Sequence, residues 1–170
     1  MKRILFSLVT ITSLMACDTK NTTTTSNNYP SNAFGYTLNS TTNTDLVKKG
    51  LHALITNDTA TYKDTYSSNA IFHHNTDSMN LSQNMSLIKA RIDSKIEMKI
   101  LGVPEVWELV NNDKDKNGIN HYVLSFIDFQ ITKGVRSIKL TISFCDLIKD
   151  GKQVEEYLIY DRTSIEALMK

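Results

Sequence analysis

Residues 137–161, SIKLTISFCDLIKDGKQVEEYLIYD, constrain the fold more than any other part of the chain. Ile138, Leu140, Ile142 and Phe144 alternate with Lys139, Thr141, Ser143 and Cys145, the two-residue period of a strand with one buried face. Lys149, Asp150 and Gly151 supply a turn in which glycine takes a positive φ, and residues 154–160 return as a β-branched and aromatic strand. A hairpin is therefore predicted. Its apolar face needs a cover, and the segments upstream read as that cover.

Thr44 is a candidate N-cap, with Asp45 in the first turn and an apolar stripe of Val47, Leu51, Leu54 and Ile55 at helical spacing. A second helix is predicted over residues 59–66, carrying Tyr62 and Tyr66 on one side. Residues 69–74 read as a short strand and 75–78 as a turn. Asn80 and Gln83 form a capping-box pair ahead of Leu81, Met85, Ile88 and Ile92, which repeat on one helix face. Residues 96–110 make a long strand interrupted by Gly102 and Pro104, where a bulge or an edge position is expected because proline cannot donate to a ladder. A polar connection, a strand over residues 119–131 and a turn at Lys133 and Gly134 lead into the hairpin. Ile165, Leu168 and Met169 give one apolar face to a last helical turn or two. Three N-terminal helices segregated from a curved antiparallel sheet make an α+β domain, with the sheet wrapping the helices as a cone open at one end.

The N-terminus has a different character. Residues 1–17, MKRILFSLVTITSLMAC, place two basic residues before a short apolar run and then small residues, the layout of an export signal. Leu14, Met15, Ala16 and Cys17 resemble the lipobox of bacterial lipoproteins, which implies acylation of Cys17 and a lipid anchor to the inner or outer membrane of the cell envelope. Residues 18–43 are dominated by Thr, Asn and Ser and are predicted to be a disordered tether, with Tyr29, Phe34, Tyr36 and Leu38 as the part that could lie against the domain. The domain is then expected over residues 44–170. Nineteen basic against eighteen acidic residues leave no electrostatic footprint for nucleic acid. Cys145 is a lone strand cysteine rather than half of a disulfide.

The element order and the pattern D-G-K-x-V-E-E-x-x-x-Y-D, formed by Asp150, Gly151, Lys152, Val154, Glu155, Glu156, Tyr160 and Asp161, resemble the SnoaL-like, nuclear transport factor 2-like superfamily. Residues 66–74 resemble its first strand after the second helix. The resemblance implies a cone with an interior cavity, and dimerisation through the open sheet face. It leaves the chemistry open, because the superfamily spans isomerases, cyclases, dehydratases and members that only bind. In the isomerases a first-strand carboxylate removes a proton beside a carbonyl; the matching position here is about His74, and alternation lets only one of His73 and His74 face inward. Tyr66 and Asp128 are candidate partners of that base, and Trp107, His121 and Phe72 candidate pocket residues.

Residues 113–118, DKDKNG, match the opening of a calcium loop, but Leu124 stands where a bidentate Glu is needed. A polar turn ending in glycine accounts for them more simply. No metal site or cofactor is predicted. The leading expectation is a lipid-anchored module binding a small apolar ligand or a protein partner. The alternative is a cyclase, isomerase or dehydratase using a pocket histidine as general base.

Overall fold

The computed structural model describes residues 35–170. The predicted leader, Cys17 and the tether as far as residue 34 lie outside the described residues. Within them the order is β1 (Tyr36–Leu38), α1 (Thr42–Thr56), α2 (Thr59–Asp64), β2 (Tyr66–His74), β3 (Asp77–Asn80) and α3 (Leu81–Asp93). Then follow β4 (Ile96–Val110), β5 (His121–Lys133), β6 (Arg136–Lys149), β7 (Lys152–Ile159) and α4 (Arg162–Met169). One sheet runs β1-β4-β5-β6-β7-β2-β3. All its pairings are antiparallel except β2 with β7, so the sheet is mixed rather than wholly antiparallel as expected. The α+β class holds, with α4 as a fourth helix beyond the three N-terminal ones.

The predicted hairpin is β6–β7. Lys149 pairs with Lys152 across a two-residue turn in which Asp150 and Gly151 both have positive φ, 52° and 71°, the geometry that matches strand twist. Gly102, at φ 72°, sits in the register shift between Leu101 and Glu105 of β4, where Pro104 had marked a break.

The ordered part starts earlier than residue 44. Residues 36–38 pair with 108–110 of β4, and Gly35 permits this approach: a Cβ there would fall 1.4 Å from the Val110 carbonyl oxygen. The N-cap of α1 is Thr41, not Thr44. Its hydroxyl accepts from the Thr44 amide at 3.0 Å, and the Thr44 hydroxyl accepts from the Thr41 amide at 2.9 Å, so two threonines three apart share the cap. Asn80 and Gln83 cap α3 in the same reciprocal way, as the sequence predicts.

Two apolar clusters fill the space between helices and sheet. Val123, Ile127 and Phe129 of β5 pack with Val47 and Leu51 of α1 and Leu168 of α4. Ala70 and Phe72 of β2 pack with Ala53, Tyr62, Tyr66, Leu81 and Ile88. Phe72 is therefore a core residue, fully buried against the Tyr66 ring at 4.8 Å, and its burial contributes about 1.5–3 kcal/mol. It does not line a pocket as predicted. Among the described residues no helix is long and apolar enough to cross a membrane.

Candidate functional site

Strand alternation sorts the sheet into two faces. In register across the strands, Glu108, Val123, Asp146, Glu156 and Phe72 make one inward row, and Val106, Ser125, Phe144, Leu158 and His74 the next. Between this face and α1, α3 and α4 lies a cavity of about 450 Å³, within the range that takes small molecules. Leu51, Leu54, Ile88, Ile131, Ile142 and Phe144 are among the side chains that make it mostly apolar. Its polar lining is Tyr62, Tyr66, His74, Asn84, Arg91, Asp146, Gln153 and Glu156 together with Ser94 and Tyr160.

Asp146 and Glu156 are directly opposed across β6 and β7, at 1% and 4% exposure. Burial pushes both carboxyls up, Glu156 to about 7 and Asp146 well above the carboxylate range, with Glu156 adding to the effect on Asp146. Neither Asp146 oxygen accepts a hydrogen bond from another described residue, and the group in reach is the Glu156 carboxyl. Two buried like charges with no cation cannot both ionise, so the pair holds a proton between them.

Tyr66 donates its hydroxyl to Glu156 Oε2 at 2.5 Å, and burial, with Glu156 beside it, keeps that phenol protonated. Its ring lies 5.0 Å from that of Tyr62, whose hydroxyl accepts from Asn84 Nδ2 at 3.1 Å. Gln153 is held by Thr65 Oγ1 at 2.9 Å. The acid pair is thus set among neutral donors and aromatic rings, an arrangement that can donate to, or exchange a proton with, a polar atom of a ligand.

Two further lining residues carry buried polar atoms without partners. These are Nε2 of His74, and Nε and Nη1 of Arg91. Burial lowers the His74 pKa, favouring the neutral imidazole. The Arg91 guanidinium uses Nη2 on the Leu54 carbonyl at 2.8 Å and on Asn57 Oδ1 at 2.5 Å.

Of the residues predicted from sequence, the structure brings His74 and Tyr66 to this cavity. Four others stand elsewhere, because the two-residue period puts them on the other face or at the far end of a strand. His73 is on the outer face, stacked on Tyr157 at 4.3 Å with Nε2 2.8 Å from Glu155 Oε1. Asp128 is exposed on that face and accepts from the Thr141 hydroxyl at 2.6 Å. Trp107 stacks on Phe126 there, at 5.7 Å. His121 lies in a separate cleft with Asn43, Lys114 and Lys149, its Nδ1 2.5 Å from the buried Glu108 carboxylate. In the DKDKNG loop, Asp115 Oδ1 accepts the amides of Asn117 and Ile119, both at 2.8 Å, as a self-contained polar turn.

Asp146, Glu156, Gln153 and Arg91 were not foreseen. Asp146 had a signal: the apolar alternation Ile142, Phe144 lands next on it, a carboxylate on a buried face.

No family model matches the sequence, and no curated protein matches it. Solved structures do match. A protein provisionally described as a polyketide cyclase, from Xanthomonas campestris, superposes with a TM-score of 0.61 at 12% identity, covering 78% of this chain and 100% of that one. A Burkholderia pseudomallei nuclear transport factor 2-like protein of unknown function gives 0.59 at 10% identity, over 77% and 99%. A Mycobacterium tuberculosis LEH-like epoxide hydrolase gives 0.56 at 13% identity, over 75% and 90%. At such identities the likeness is one of fold, and that fold is the nuclear transport factor 2-like one.

Proposed function

Taking that fold as the premise, we propose that the domain binds a small, mainly apolar molecule in the cavity, with a carbonyl or hydroxyl group of the ligand set against the Asp146–Glu156 pair. One observation carries this reading: a buried acid pair with no cation in ion-pair reach, on the wall of a mostly apolar cavity, is costly to the fold unless something uses it. The test is heteronuclear NMR of the full chain with a panel of apolar ketones and alcohols. A binding compound shifts signals of Tyr66, His74 and Phe144 together. If no member of the panel moves them, the reading is wrong.

A second reading is a proton-transfer enzyme of the cyclase, isomerase or dehydratase type. What favours it is the Tyr66 hydroxyl on Glu156 beside the proton of Asp146, which makes Glu156 a better general base than His74. Turnover of a bound ketone lost in Glu156→Gln, with binding retained, distinguishes it from binding alone.

The location of the domain rests on the leader sequence: a lipid-anchored protein of the cell envelope, acylated at Cys17. A second copy of the chain is the partner proposed for the outer sheet face, where Phe126 and Ile159 are 47% and 67% exposed.

A further inference from the structure

The acid pair accounts for one polar end of a ligand; Arg91 stands apart from it. Arg91 is on α3, lines the same cavity and is partly buried, yet Nε and Nη1 have no hydrogen-bond partner. Its two contacts, both through Nη2, go to a neutral carbonyl and a neutral amide oxygen. Among the described residues no carboxylate lies within ion-pair distance of it. A guanidinium keeps its charge at any physiological pH, so this cation lies in the wall of a largely apolar cavity, its two unpartnered nitrogens buried and without a counter-ion. His74 and the tyrosines on the cavity wall carry no charge that would balance it, and the acid pair already shares its proton internally.

We propose that the ligand is an amphipathic carboxylic acid: an apolar body along Ile88, Ile131 and Ile142, with its carboxylate on the free donors of Arg91. This rests on the reading of the cavity as a ligand site and adds the charge of what enters it. Charge-assisted hydrogen bonds from a partly buried guanidinium are among the strong ones, and the same donors reject a cationic head group.

The test uses four probes of one skeleton on the full chain at neutral pH: 4-phenylbutanoate, its methyl ester, 4-phenylbutanol and 4-phenylbutylamine. The carboxylate should bind about tenfold tighter than the alcohol or the ester, and the amine weakest. In Arg91→Gln that preference should shrink to near unity. Because Arg91 also ties α3 to the end of α1, the variant could fail to fold. The wild-type chain then decides by the Arg91 Nε–H resonance, which the carboxylate should move and the alcohol should not. Equal binding of all four, or an amine that binds best, overturns the proposal while the cavity remains a ligand site. If none binds, the reading of the cavity itself falls as well.

Discussion

Glu108 and the Asp146–Glu156 pair occupy one row of the inner sheet face, separated by Val123, and all three carboxyls are almost fully buried. Their environments are opposite. Glu108 accepts from Asn43 Nδ2 at 2.6 Å and lies 2.5 Å from His121 Nδ1, and Thr41 adds a further hydrogen bond. Burial alone would raise its pKa, but those hydrogen bonds together outweigh it and hold Glu108 below its ordinary range. Asp146 and Glu156 have each other and neutral neighbours, and both are pushed up. The same chemical group, shielded from solvent in both places, serves as a clamp near the rim of the sheet and as a proton reservoir deeper in the fold. What differs is how deep the group lies and how many hydrogen-bonding side chains surround it: Thr41, Asn43 and His121 at Glu108, but Tyr66 at the pair beside the cavity.

The comparison would break first at Glu108. Glu108→Ala removes the anion that holds the start of α1 and the start of β5 together, and should destabilise the domain by about 2–3 kcal/mol in chemical denaturation. A loss near zero would show that the clamp is not one.

Asp146→Asn should act the other way. The folded wild type retains protons that the unfolded chain releases, so the pair's contribution to stability falls as pH rises from the ordinary carboxylate values of 3.8 and 4.5 and goes on falling until both folded-state carboxyls have ionised. Replacing one carboxyl by an amide relieves that penalty, and the variant should be more stable than wild type by about 1–2 kcal/mol at pH 8, with little difference at pH 4. Glu108 contributes with the opposite slope: its stabilisation is present above the ordinary range and is lost as acid protonates it. A denaturation series against pH therefore separates the two sites within one protein.

The smallest effect expected is at Trp107. Because it stacks on Phe126 on the outer face, its emission should not change when a ligand enters the cavity, whereas Tyr66 signals should. A Trp107 response of comparable size would mean that the two faces are coupled.

Much of the fold was legible because it rests on local rules. The Asp150–Gly151 turn, the Asn80 cap and the break near Pro104 each follow from what those residues do to their own backbone. The site was less so. Asp146 could have been reached by extending the alternation through Phe144, since a carboxylate at an apolar position is itself a signal. Glu156 could not. Counting back from the turn, Lys149 pairs with Lys152 and Ile148 with Gln153, which would oppose Asp146 to Glu155. A register shift at Val154 moves Glu156 opposite instead, and with it Leu158 inward and Tyr157 out. Such a one-residue bulge exchanges the faces of a strand, and no residue at 153–155 announces it. Arg91 was hidden for another reason: on an amphipathic helix it reads as a solvated end-of-helix cation, and only the packing of α3 against α1 brings it to the cavity.

The most direct test of the central claim is a carbon-detected NMR titration of the Asp146 and Glu156 carboxyls in the full chain. The pair should titrate as a unit, with both carboxyls raised above their ordinary range, and a bound ligand should shift both. If both carboxyls instead titrate in the ordinary range around 4, the pair is ionised and hydrated. The cavity would then hold no proton to offer, and the comparison with Glu108 would collapse.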